Sequence, residues 1–287
     1  MANLNHFVFY DYQPSMAAAV IFIVLFGISA GYHLWLLVKN RTWYFIPFVI
    51  GCLFETVGYI GRAISSTEYP DFTQNPYIIQ SVLLLLGPTL FAASIYMILG
   101  RLVVLLEAGN YSMIRPRWLT KFFVLGDVLS FFVQGGGGGI MTAAKSQDDV
   151  RRGESIILGG LGIQILFFGF FCVVTAMFHR RIRNEPTSKA VTAAVPWKSL
   201  LYALYATSML IMIRSIYRVA EYVEGQGGEV QSKEFWIYIF DSLPMVIVAL
   251  LFNWLHPSRV IYRYPSLEMP YLMESGISDS QPRSGYK

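Results

Sequence analysis

The chain has 287 residues, 55% of them hydrophobic and 14% charged, with a mean hydropathy of +0.49. An ordinary soluble domain carries about a quarter of its residues as charges, and the apolar runs here are too long and too evenly spaced for one, so a soluble enzyme or binding module is excluded. The net charge of +4 and pI of 9.0 do not point to nucleic acid, because the basic residues sit in short loops between apolar runs, where membrane topology places them.

A helix needs ~20 apolar residues to cross the hydrocarbon core, and seven segments qualify. Residues Met1 to Ser15 contain no basic residue, so no cleaved signal peptide is read, and the first span, Met16 to Val38, is expected to act as a signal anchor. The second runs from Tyr44 to Ser65 and carries Glu55, Tyr59 and Arg62 at i, i+4 and i+7, hence on one face. The third, Tyr77 to Leu106, is the longest. It contains Gln80 and ends near Arg101, and Pro88 in Leu86-Gly87-Pro88-Thr89 predicts a kink. The fourth, Thr120 to Ala143, carries Asp127, Gln134 and five consecutive glycines, Gly135 to Gly139. That run reads either as a close packing surface or as a broken, hinged segment. The fifth, Ser155 to Phe178, contributes Gln164. The sixth, Trp197 to Ala220, leads into the Arg214, Arg218, Glu221 set, which repeats the spacing of the second. The seventh, Phe235 to Leu255, carries Asp241.

The fold class is therefore an all-α polytopic membrane protein with seven transmembrane helices. Loops alternate sides, one side holding twelve Lys and Arg residues and the other four. The basic side is the cytosolic one, which places the N-terminus outside and the C-terminus in the cytosol. The expected organisation is an extracellular N-terminus over 1–15, a transmembrane domain over 16–256 and a disordered cytosolic tail over 257–287, rich in Ser, Pro and Gly. Two sequons, at Asn40 and Asn110, fall on the cytosolic side and are expected to stay unused.

A charge at bilayer depth costs at least ~2.5–3.5 kcal/mol. Four acids (Glu55, Asp127, Glu221, Asp241) and four bases (Arg62, Arg101, Arg214, Arg218) within or at the ends of spans therefore predict pairing around a shared interior. Apart from Arg101, at a span end, these seven together with Tyr59, Gln80, Gln134 and Gln164 predict a polar cavity; the alternative is that they only staple helices together. No metal is expected: His6, His33, His179 and His256 are dispersed, three of them near cytosolic helix ends as interface residues, and Cys52 and Cys172 form no ligand pair. No cofactor is expected either, since the seventh span has no lysine for a retinal Schiff base, and no ATP-binding motif is present. The six tryptophans fall near span ends, as an aromatic belt would.

Several long stretches resemble a known family. They are Glu55-Thr-Val-Gly58-Tyr59-Ile-Gly61-Arg62, Leu86-Gly-Pro88 through Tyr96 to Gly100-Arg101, Gly126-Asp127 with Gln134 and the glycine run, Gly159-Gly-Leu-Gly-Ile-Gln164, and Arg214-Ser-Ile-Tyr217-Arg218-Val-Ala-Glu221-Tyr222. In these, over roughly Tyr12 to Pro257, the chain resembles the fungal lipid-translocating exporter family, also called aminocholesterol-resistance-like. The resemblance implies a seven-helix plasma-membrane protein linked to export or transbilayer movement of sphingoid long-chain bases, to resistance against toxic amphiphiles, and in one branch to porphyrin and haem handling. It carries over no catalytic residue.

The resulting reading is a transporter or translocase for an amphiphilic lipid, with membrane lipid or an amphiphilic small molecule as partner, no nucleic acid, and nothing that sets an oligomeric state. The cationic amine of a sphingoid base would meet Asp127, Glu55 or Asp241, and its hydroxyls Gln80, Gln134 and Gln164. A seven-helix receptor or stress sensor is the alternative; against it, the third span ends in Gly100-Arg101-Leu102 and the seventh has no Asn-Pro-x-x-Tyr. Spans two and six also share a Tyr and Arg ending, as a three-plus-one-plus-three duplication would leave.

Overall fold

A computed structural model describes residues 10, 12–144, 146–192, 195–224 and 228–261, and within them the chain is all-helical. All seven expected spans form helices long and apolar enough to cross a membrane. They are α1 (Met16–Asn40), α2 (Ile46–Thr67), α3 (Gln74–Leu105), α4 (Pro116–Thr142), α5 (Gln147–Asn184), α6 (Trp197–Glu224) and α7, which is built from Glu234–Ile237, Tyr238–Ser242 and Leu243–Trp254 in one rod.

Local chemistry sets their ends. Ser15 caps α1 by accepting from the Ala18 N–H, and Arg41, at φ 50°, ends it in the left-handed region. Prolines open α2 and α4, where the missing N–H costs nothing. The largest departure from expectation is α5. At 38 residues it is about 57 Å long at ~1.5 Å per residue, well beyond the ~30 Å hydrocarbon core. Hydropathy sees only the apolar middle. The polar ends stay helical because Ser146 caps the start, Asp148 and Asp149 lie in the first turn, and Arg181 and Arg183 lie in the last, each complementing the helix dipole.

The helices form a ring in chain order that closes where α7 meets α1, with α3 set inward against α2, α4, α5 and α6. Two antiparallel pairs are tight. On α2, the Cα hydrogens of Gly51, Gly58 and Gly61 face α3 so closely that an added Cβ would meet the Gly87 carbonyl, the Leu84 side chain and the Pro76 carbonyl. On α4 and α5, Gly137 sits against the Gly153 carbonyl and Ile157, and Gly160 against Ser130 and Gln134. Thus α4 stays an unbroken helix through its five glycines, as the packing-surface alternative has it. Only Gly137 of the run is buried in the α4–α5 seam.

One end of the bundle is filled with aromatic rings. Phe45 and Phe48 stack at 4.6 Å, and Phe48 and Phe91 at 4.5 Å. His33 and His256 are buried among them, 5.8 Å apart. These two histidines are core residues, not the interface residues expected: the first turns of α2 and the end of α7 cover them. Trp197 is likewise buried, donating to the Ala190 carbonyl, and so does not belong to the aromatic belt; Trp35, Trp43, Trp118 and Trp254 are exposed. Beyond α7, Ser258–Ile261 forms a further helical turn with Val260 and Ile261 buried, so the first residues of the expected tail are folded; 262–287 lie outside the described residues.

Candidate functional site

The opposite end, where α1 begins and the α2–α3, α4–α5 and α6–α7 connections lie, carries the charges. Arg62, fully buried near the end of α2, donates through Nε to the Tyr238 hydroxyl at 3.0 Å and through Nη2 to the Tyr12 hydroxyl at 2.8 Å, and pairs with Glu234 Oε1 at 2.8 Å. Glu234 also accepts from Tyr238 and from the Ser15 backbone N–H. One ion pair therefore ties α2, α7 and the segment before α1 together. Burial pushes the Tyr10 and Tyr12 phenols up from their ordinary value, which keeps both as neutral hydroxyls.

A second node lies deeper, between α6 and α7. Asp241 pairs through Oδ1 with Arg214 Nε at 2.5 Å and through Oδ2 with Arg218 Nη2 at 2.8 Å, and Arg218 Nη1 reaches Glu221 at 2.9 Å. Two features of backbone make this possible. Pro244 cannot donate, and the turn before it widens to a π-turn over Tyr238–Ser242, with the Leu243 N–H bonded to the Tyr238 carbonyl. Both Asp241 and Ser242 are buried as a result. On α3, Pro88 likewise leaves the carbonyl four residues earlier without its usual donor. That carbonyl is Leu84, and it accepts from Arg214 Nη2 at 2.6 Å. Pro88 thus frees an acceptor for a buried guanidinium within a helix that runs unbroken from Gln74 to Leu105.

Above this node is a cavity of about 340 Å³, lined from α2 to α7 and by the segment before α1. Its polar wall holds Arg62, Gln80, Arg218, Glu221, Glu154 and the phenols Tyr10, Tyr12, Tyr77 and Tyr222; its apolar wall holds Ile78, Val82, Leu85, Phe131 and Ile157, with Gly135, Gly138 and Gly139 beside them. Tyr10 donates to Gln80 at 2.7 Å. Gln134, on the α4 wall, donates to Ser130 at 2.6 Å and to Gln164 at 3.2 Å. Ile78 and Val82 on α3 and Gly135 and Gly139 on α4 line the cavity and are exposed.

Of the eleven side chains expected to share a cavity, Arg62, Gln80, Gln134, Arg218 and Glu221 line it. The other six do not. Arg214 and Asp241 form the wall's supporting ion pair, Tyr59 is hydrogen-bonded to Ser242, and Gln164 braces Gln134. Glu55 lies against Gly87 on α3. Asp127 is buried with neither carboxylate oxygen hydrogen-bonded, close to the Tyr96 hydroxyl, and joins no described ion pair. Glu55 and Tyr59 share a helix face with Arg62, Asp127 with Gln134, and Arg214 with Arg218, so these side chains point the right way and sit too far along the bundle axis to reach the cavity. Spacing reasoning missed Tyr10, Tyr12, Tyr77, Glu154, Tyr222, Glu234 and Tyr238. The aromatic run before α1 and the acids just outside the apolar windows were their only signal.

A family model described as RTA1 like protein matches residues 48–263. Protoporphyrin uptake protein 1 of Saccharomyces cerevisiae is 38% identical over an alignment covering 86% of this chain and 91% of the relative. Probable lipid transporter atnI of Emericella nidulans is 30% identical, covering 90% and 70%. Sphingoid long-chain base transporter RSB1 of Saccharomyces cerevisiae is 24% identical, covering 85% and 72%. No solved structure matches.

Proposed function

The chain belongs to the RTA1-like family, and we propose that as a multi-pass membrane protein it carries an amphiphilic lipid, a sphingoid long-chain base, across the bilayer and so protects against toxic amphiphiles. The observation that carries this is the cavity. It has a charged and phenolic wall for a head group and an apolar wall for the first part of a chain, and the exposed residues Ile78 and Val82 on α3 and Gly135 and Gly139 on α4 are where the rest of the chain would leave for the bilayer. At about 340 Å³ it holds a head group and a few methylenes, so the remaining tail lies out in lipid. Relatives are named for lipid and long-chain base transport, which supports the same reading. On this reading the protein acts as a carrier.

The twelve-to-four asymmetry of basic residues supports an extracellular N-terminus and a cytosolic C-terminal tail in the plasma membrane, and with it a cavity facing the outer leaflet. Protease protection of tags placed before Met1 and after Lys287 tests the orientation; a protected N-terminal tag on intact cells overturns it. Transport is tested by release of a labelled long-chain base from cells to external albumin. Cells expressing the chain should release it several-fold faster than cells without it, and equal rates overturn the proposal. A second reading is supported by one feature. Arg62 and Arg218 beside the edge-to-face phenols of Tyr10, Tyr12 and Tyr77 would also suit the carboxylates and flat ring of a porphyrin, the cargo for which one relative is named. Uptake of protoporphyrin with no release of long-chain base selects that reading.

A further inference from the structure

Two polar groups on the cavity wall are not used by the bundle. Glu154, about two turns into α5, lines the cavity beside Tyr222 and joins no ion pair among the described residues. The other cavity carboxylate, Glu221, is held by Arg218. The arginines next to Glu154 in sequence, Arg151 and Arg152, line a separate surface hollow and do not line the cavity. On α2, Arg62 engages Tyr238, Tyr12 and Glu234 through Nε and Nη2, while its Nη1 is buried with no hydrogen-bond partner. A buried guanidinium N–H left without an acceptor is costly, and here it belongs to a cavity-lining side chain that is 0% exposed.

A ligand that satisfies both groups brings a cation and, beside it, an oxygen that accepts a hydrogen bond. We infer that Glu154 receives the cationic amine of an amino-alcohol head group in this cavity, with Arg62 Nη1 donating to an oxygen of the same head group. The assignment rests on the long-chain-base reading of the cavity and names the residues that would recognise its head group. It also moves the amine from the carboxylates of the helix seams to one on the cavity wall. Asp241 already neutralises two arginines, and Asp127 lies off the wall; only Glu154 among the cavity's carboxylates is without an arginine.

Binding to the purified full-length protein in detergent at pH 7 tests this, with dihydrosphingosine, which is cationic, and its N-acetyl derivative, which is not. The native protein should bind the amine at least tenfold more tightly. Glu154→Gln should erase that preference while leaving N-acetyl binding within twofold, and Glu154→Asp should keep it. Glu154→Gln that retains the preference, or that weakens both ligands equally, overturns the assignment. So does a glutamine variant that fails to fold, since a half-buried carboxylate without an ion-pair partner has no structural duty to lose. If the native protein binds neither ligand, the amphiphile reading itself fails, and the two failures are thereby distinguished.

Discussion

Replacing Asp241 by Asn changes one atom at a point where two helices meet through charge. In the native bundle its two oxygens serve Arg214 at 2.5 Å and Arg218 at 2.8 Å, and the side chains of Arg214 and Asp241 are 2% and 4% exposed. Removing that charge leaves Arg218 with Glu221 and leaves Arg214 with neutral acceptors, the Leu84 carbonyl and at most one amide oxygen, in place of its carboxylate. Breaking a buried pair strands a charge and costs about 3–5 kcal/mol. Native stability is itself only about 5–15 kcal/mol, so the loss is a large fraction. At roughly 2–4 °C per kcal/mol for a chain of this size, thermal unfolding in detergent should fall by ~10 °C. The Lys233–Glu229 pair is a control: both side chains are more than half exposed, and Lys233→Ala should leave the melt unchanged. A melt for Asp241→Asn within 2 °C of the native protein would refute the reasoning that this ion pair holds α6 to α7.

The glycine run should separate by face. Gly137→Ala would drive its Cβ to 2.7 Å from the Gly153 carbonyl and should destabilise the α4–α5 pair, whereas Gly135→Ala meets nothing within 4 Å and should gain up to ~1 kcal/mol of helix stability; equal melts for the two would refute the seam. Pro88→Ala should gain well under the ~3 kcal/mol expected in a helix interior, because the restored N–H competes with Arg214 for the Leu84 carbonyl; a full gain in chemical denaturation would show that this acceptor is idle. Asp127→Asn should fold, reach the membrane and still release long-chain base, since it breaks no ion pair and lies off the cavity; a folded variant that cannot release it would return the amine site to α4.

The seven spans were legible because hydropathy over some twenty residues is a strong signal, and the two-faced spacing of Glu55, Tyr59 and Arg62 marked the right side of α2. Helix ends were less so. α5 runs past its apolar window at both ends because capping and dipole terms act on residues that hydropathy discards. The charged interior was legible as a set and not as a map. Asp127 shares a helix face with Gln134, which lines the cavity, yet Asp127 sits two turns nearer the other end of the bundle and meets Tyr96, because spacing gives the face and only packing gives the height at which a cavity forms. The role of Pro88 could be read only in part: its kink follows from chain chemistry, but the group that takes its freed carbonyl is Arg214, 126 positions later. Glu234 and Glu154 were hidden for the opposite reason. Each sits just outside an apolar run, where a charge reads as loop, until the helices bring Glu154 to the cavity wall and Glu234 to Arg62.

The central claim is that an amphiphile lodges its head in the polar end of this cavity and its chain along the α3–α4 edge. A long-chain base with a photoreactive diazirine a few carbons from the head group, incorporated in membranes and irradiated, tests it most directly. Mass spectrometry of the labelled chain should find adducts on Ile78, Val82, Phe131 or Ile157, which line the cavity, and these should be lost to competition by unlabelled base. Adducts confined to outward residues such as Leu125, Phe132 and Leu166, which are 68%, 69% and 69% exposed, would contradict it.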